Sequence, residues 1–175
     1  MAGRADTVVV RTLPAVLAAL LFASGCAASR VAPPLHPGGP PGAPGTSSAS
    51  TPAASAATIA LSLLGRPYRN GGADPTGFDC SGLVQYAWGR AGLAVPRSVR
   101  EQMRLGVPLA ESEIEAGDLL FFAIDGRTVS HVAIATGPDR FVHAPSTRGV
   151  VREERLSADY WRRRFTGARR VTREE

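Results

Sequence analysis

Apolar residues are unevenly spread along this 175-residue chain, and their spacing changes character several times. A continuous apolar run, LPAVLAALLFA (13–23), is followed by a stretch over 27–55 in which large apolar residues are nearly absent. ATIALSLLG (57–65) then reads as a short helix stopped by Gly65, with Pro67 just beyond. From Cys80 to about Ala91, the residues Leu83, Val84, Ala87, Trp88 and Ala91 recur at helical spacing, with Asp79 placed to cap the start and Gly92 to end it. The turn-rich segment 66–79 is expected to be a loop, and 98–105 a second short helix. After Gly117 the period shortens, and DLLFFAI (118–124), HVAIAT (131–136), RFVHA (140–144) and VVREERL (150–156) read as strands. The segment 160–171 reads as a helical turn and a last strand. Helices first and an antiparallel sheet later predict an α+β domain.

The two ends of this pattern set the expected organisation. The apolar run is too short to cross a hydrocarbon core of roughly 30 Å as a helix, and with Arg4 and Arg11 before it has the form of a signal-peptide core. It ends in ASGCAAS, which resembles a bacterial lipoprotein signal. In that reading Cys26 becomes the first mature residue and carries lipid, although Ala23 stands where leucine is most usual. The other reading is ordinary secretory cleavage near Gly25, leaving a free thiol. The Pro-, Gly-, Ala- and Ser-rich stretch cannot bury enough surface to offset its ordering entropy, so a flexible tether is expected. The divisions are therefore a signal over 1–25, a lipidated cysteine and tether over 26–55, and a folded domain over 56–175.

Charge narrows the classes without choosing one. The formal net charge is +5, and the chain has arginine but no lysine. No basic stripe with interleaved aromatics occurs, so nucleic acid is not an expected partner. The Arg-rich stretch 162–170 reads as a solvated basic face, with wall or anionic lipid contact as the alternative.

Chemistry centres on Cys80. With Cys26 taken by the signal, Cys80 is the one thiol left in an exported, oxidising compartment, where an unpaired cysteine is either buried or used. As an inert small apolar residue it would fill a core. As a nucleophile it would profit from the start of a helix, where free N–H groups and the macrodipole favour thiolate. If the turn at 137–139 sets Ala133 opposite His143, then His131 and His143 share a sheet face as diagonal neighbours roughly 7–8 Å apart at Cα. One imidazole would take the thiol proton and the other would orient it. A zinc site from Cys80, His131 and His143 lacks the paired ligand spacing of such sites.

GRPYRNGG (65–72), FDCSGLVQYAW (78–88), VPRSVREQ (95–102), AGDLLFF (116–122), SHVAIATG (130–137) and FVHAPSTRGV (141–150) together resemble the NlpC/p60 cysteine peptidases of bacterial cell walls, a papain-like α+β family. Ala133, where the family often has glycine, is a mild departure. The resemblance implies Cys80 as nucleophile, His131 as general base and acid, and His143 as the orienting third member. It implies Tyr68 near the oxyanion, and Asp79 and Ser81 in binding the amine or backbone of a stem peptide. It implies hydrolysis of peptidoglycan, at either the D-glutamyl–diaminopimelate bond or the diaminopimelate–D-alanine cross-link, by a monomer without metal or organic cofactor. A short lipoprotein leans towards the cross-link. Ala27 after the lipidated cysteine fits sorting to the periplasmic face of an outer membrane if the source is Gram-negative. A non-catalytic wall-binding lipoprotein and an acyltransferase or amidase are the rival readings.

Overall fold

The computed structural model describes residues 50–145 and 149–172. Helix α1 spans Pro52–Ser62, earlier than the apolar spacing predicts. Thr51 caps it by accepting from the Ala54 N–H, and Pro52 occupies the first turn, where its missing N–H costs nothing. Its buried stripe is Ala56, Ala57 and Ala60, small residues that let the helix lie close to its neighbours but carry a weak hydrophobic signal. Residues 52–55, expected in the tether, are thus the first turn of a packed helix.

Helix α2 spans Cys80–Arg90 with Asp79 as N-cap, and Leu83, Val84, Ala87 and Trp88 form its buried face, as the spacing predicts. Gly92 follows with φ +90, a conformation that ends a helix and suits glycine. Helix α3 is shorter than expected, Val99–Gln102, held by a capping box between Ser98 and Glu101. Within the expected loop, the two-residue strands β1 (Ala73–Asp74) and β2 (Gly77–Phe78) pair with each other.

Six further strands form one antiparallel sheet: β3 (Val107–Leu109), β4 (Leu119–Phe122), β5 (His131–Gly137), β6 (Arg140–His143), β7 (Arg152–Arg155) and β8 (Phe165–Arg170). Their order is β3-β8-β4-β5-β6-β7, so the last strand returns to pair with β4. The helical turn expected before it is α4, Asp159–Arg162. Of these six, β3 is the strand the sequence pattern does not predict, being short and carrying Pro108 at an edge.

The sheet is covered on both faces, which explains why LLFF is apolar throughout rather than alternating. Leu119, Phe121, Val132, Ile134 and Val142 pack against α1 and α2. Leu120, Phe122, Ala133, Phe141 and Ala168 pack on the other side with Leu156 and Trp161.

The Arg-rich stretch is more than a solvated face. Arg164 donates to the carbonyls of Ile124 and Tyr160, and Arg169 to those of Leu105 and Gly106. Arg170 makes a two-pronged pair with Asp118, through Nε to Oδ1 (2.9 Å) and Nη2 to Oδ2 (2.8 Å). Asp118 is 1% exposed, so the pair ties β8 to the start of β4 across a buried carboxylate. Removing the guanidinium leaves that charge buried and unpaired. Arg170→Met is expected to lower stability by about 2–3 kcal/mol, less than a fully buried pair because Arg170 is partly exposed. Arg162→Met should change it by less than about 0.5 kcal/mol, both read from urea unfolding midpoints.

Candidate active site

The first turn of α2 is clamped to the loop before it. Asp79 accepts at Oδ1 from the Gly82 N–H (2.7 Å) and Ser81 Oγ (3.3 Å), and at Oδ2 from the Gly71 N–H (3.0 Å) and Arg97 Nη2 (2.5 Å). A second arm of Arg97, Nη1, donates to Ser81 Oγ (2.8 Å). Beneath them the fully buried Gln102 donates through Nε2 to the carbonyls of Ser81 (3.0 Å) and Pro96 (2.7 Å). Gly82 is needed because a Cβ there would overlap the backbone oxygen of Gly72, where the loop crosses the helix. The sequence DCSG therefore places cap, thiol and close-packing glycine within one turn.

Cys80 follows the cap, half-buried against the helix-facing core. The backbone N–H of Val132 favours its thiolate, as do those of Ser81 and Cys80 more weakly. The thiol thus lies beside the second residue of β5, one position from His131.

The hairpin of β5 and β6 has the register predicted from sequence. Ile134 pairs with Val142 and Ala135 with Phe141, which sets Ala133 opposite His143, and an irregularity near Thr136 admits the Pro138–Asp139 turn. His131 and His143 are 4% and 0% exposed, and His131 Nε2 lies 2.9 Å from His143 Nδ1. Trp161 stacks on His131, with ring centroids 5.8 Å apart and planes 24° apart, and meets His143 edge-on at 4.8 Å. The indole covers the imidazole pair and excludes water from its hydrogen bond.

Burial governs the electrostatics here. It lowers the His131 pKa to about 4. It lowers His143 further, and the charges of His131 and Arg152 act in the same direction. Both rings are therefore neutral at pH 7. Burial also pushes the Cys80 thiol up; the Val132 N–H opposes this, and the Asp79 charge adds to it. The N–H groups at the helix start favour thiolate, as the sequence suggests, but desolvation outweighs them and the thiol's pKa lies above its ordinary value. For Cys80 to act as a nucleophile, a base would have to remove its proton. With His131 Nε2 committed to His143, the nitrogen left for that task is Nδ1, which is a free base when Nε2–H donates to His143 Nδ1.

Burial would raise the Asp79 carboxyl too, but Arg97 and the Gly82 and Gly71 N–H groups hold it below its ordinary range. Its cap role is met in full, and all its donors come from the protein itself. Tyr68 is fixed by its N–H on the Gly149 carbonyl (2.8 Å). Burial, then the nearby Cys80 and Asp79, keep its phenol protonated and able to donate. Tyr68, Asp79, Cys80, Ser81, His131 and His143 are thus gathered at the junction of the α2 start with one end of the sheet. Cys26 lies outside the described residues.

Arg97, Gln102 and Trp161 are site residues to which the sequence alone assigned no role. Trp161 was masked by the arginines around it, although an aromatic pair in a polar stretch is itself a burial signal. Among the described residues, no three His, Cys, Asp or Glu side chains are arranged to hold a metal ion. No helix among them is long and apolar enough to cross a membrane.

Comparison with known proteins agrees with this architecture. The model of the NlpC/P60 family matches residues 65–170. The chain is 44% identical over 113 residues to murein DD-endopeptidase MepH of Escherichia coli K12, covering 62% of this chain but 42% of that protein. Murein DD-endopeptidase MepS/murein LD-carboxypeptidase of the same organism is 33% identical over 177 residues, covering 93% of both. Among solved structures, an NlpC/P60 family protein from Bacillus cereus superposes with a TM-score of 0.65 at 34% identity, covering 70% of this chain and 41% of that one. Fold, motif order and sequence agree, and the chain belongs to the NlpC/P60 family.

Proposed function

We propose that this protein is a peptidoglycan endopeptidase that cuts the cross-link between stem peptides by a thiol mechanism. The observation that carries the reading is the 2.9 Å bond between His131 Nε2 and His143 Nδ1, formed one residue from Val132, whose N–H favours the Cys80 thiolate. The murein DD-endopeptidase names of the relatives support the substrate and the bond.

In the first half-reaction His131 Nδ1 takes the thiol proton as sulfur attacks the scissile carbonyl. The imidazolium so formed keeps its Nε2–H on the neutral His143 Nδ1, which spreads the charge where water cannot. N–H groups at the start of α2 and the Tyr68 hydroxyl are the oxyanion donors. Collapse breaks the C–N bond, and His131 delivers its proton to the leaving amine. In the second half-reaction water gives a proton to His131 and attacks the thioester, releasing the carboxylate and restoring the thiol. Asp79 and Ser81 flank Cys80 at the start of α2, and a substrate amine would reach Asp79 by displacing the partly exposed Arg97. A cell-envelope location follows from the substrate. Lipid on Cys26, tethering the domain to a membrane facing the wall, completes the reading.

Two tests follow. The purified chain should convert cross-linked muropeptide dimers to monomers by mass spectrometry, with Cys80→Ala slower by roughly 10³-fold or more and His143→Ala by roughly 10²–10⁴-fold. Intact dimers with the wild-type chain would exclude the reading. The pH profile is the second test, and its sign follows from the base. His131 acts when neutral, so kcat/KM should hold as pH falls past the ordinary imidazole range and drop only near about 4. Trp161→Ala admits water, so its acid limb should move up towards 6.5 while circular dichroism shows the fold retained.

A further inference from the structure

A cavity of about 420 Å³ lies against the histidine pair, lined by His131, His143, Arg152, Glu154, Tyr160 and Trp161 among others. These residues sit where β5 and β7 begin and β6 ends, on the sheet face turned away from α2. Cys80 packs on the helix side. The cavity therefore reaches the imidazole pair from the side away from the helix core.

That arrangement sorts the two halves of a substrate. The acyl half bonds to sulfur, whereas the amine half must lie beside the imidazole that protonates it. We propose that the cavity is the subsite for the amine-bearing half of the substrate, and that Arg152 recognises a free carboxylate on it. The inference rests on the endopeptidase reading above and refines its bond choice.

Arg152 is well placed for this. It pairs directly with His143 across β6 and β7, so the two side chains share a face at neighbouring Cβ positions. Its charge is close enough to lower the His143 pKa further. Its side chain is half exposed, and Nε donates to Glu154 Oε1 at 2.8 Å. Glu154 thus steadies the guanidinium, while neither Nη hydrogen-bonds another described residue. Two parallel N–H groups facing a cavity suit a planar carboxylate. The exposed rim supplied by Tyr160, 49% exposed, gives the carbon chain an apolar surface, and Arg164 lies over its ring at 3.9 Å.

The chemistry of the two candidate bonds then differs at one group. Cutting the cross-link frees a diaminopimelate amine whose own carbon bears a free carboxylate. Cutting the D-glutamyl bond of a stem that continues past diaminopimelate frees an amine whose neighbouring carboxyl is locked in a peptide bond. A guanidinium at this place favours the first.

The test uses two cross-linked dimers that differ only in this carboxylate, free or amidated, with wild-type chain, Arg152→Gln, Arg152→Lys and the exposed Arg162→Gln. Wild type and Arg162→Gln should prefer the free carboxylate by roughly 10- to 100-fold in kcat/KM, the range of a hydrogen-bonded charge pair. Arg152→Gln should bring that ratio close to one, and Arg152→Lys should restore part of it. Equal cleavage of both dimers by wild type, or an undiminished ratio in Arg152→Gln, would overturn the inference and leave the endopeptidase reading standing. Cleavage of neither dimer by wild type would overturn that reading, and the inference with it.

Discussion

The site is organised by one buried hydrogen bond, between His131 Nε2 and His143 Nδ1. Two imidazoles without water can share a hydrogen bond only if one donates and the other accepts, and burial keeps both neutral. That fixes which nitrogen of His131 is left to meet a thiol. The backbone supplies the pair through strand register, since a slip of one residue in the hairpin would send one ring to the opposite face. Phe122, Phe141 and Trp161 supply the dry surroundings.

The second half of the site is built independently and meets the first at Val132. A saturated carboxylate, Asp79, holds the start of α2 to the 66–79 loop, and Gly82 lets the two backbones touch. Val132 joins the halves twice, packing its side chain under the helices and offering its N–H to sulfur. A high thiol pKa is compatible with catalysis in this arrangement. In the proposed mechanism a neutral thiol and a neutral base need no standing ion pair in a dry pocket, and charge would separate only as the substrate arrives.

Much of this was legible in the sequence because it depends on local rules. The Asp79 cap, the extent of α2, the Gly92 stop, the central strands and the shared face of the histidines follow from periodicity and turn chemistry. What was not legible depends on contacts between distant segments. Helix α1 begins early because alanine packing and a Thr-Pro start outweigh hydrophobic spacing. The roles of Arg164, Arg169 and Arg170 are set by carbonyls and a carboxylate tens of residues away. The thiol's protonation turns on burial, which competes with the helix start and cannot be weighed before the fold is known. Trp161 acquires its role only when α4 folds over the end of the sheet.

The central claim concerns the protonation and direction of the imidazole pair, and nitrogen-15 NMR of labelled histidine in the intact chain reads both. At pH 7 His131 should carry its proton on Nε2 and leave Nδ1 unprotonated, and the ring should stay neutral until pH falls towards about 4. A proton on Nδ1 at pH 7, or titration at the ordinary imidazole value of 6.5, would contradict the account.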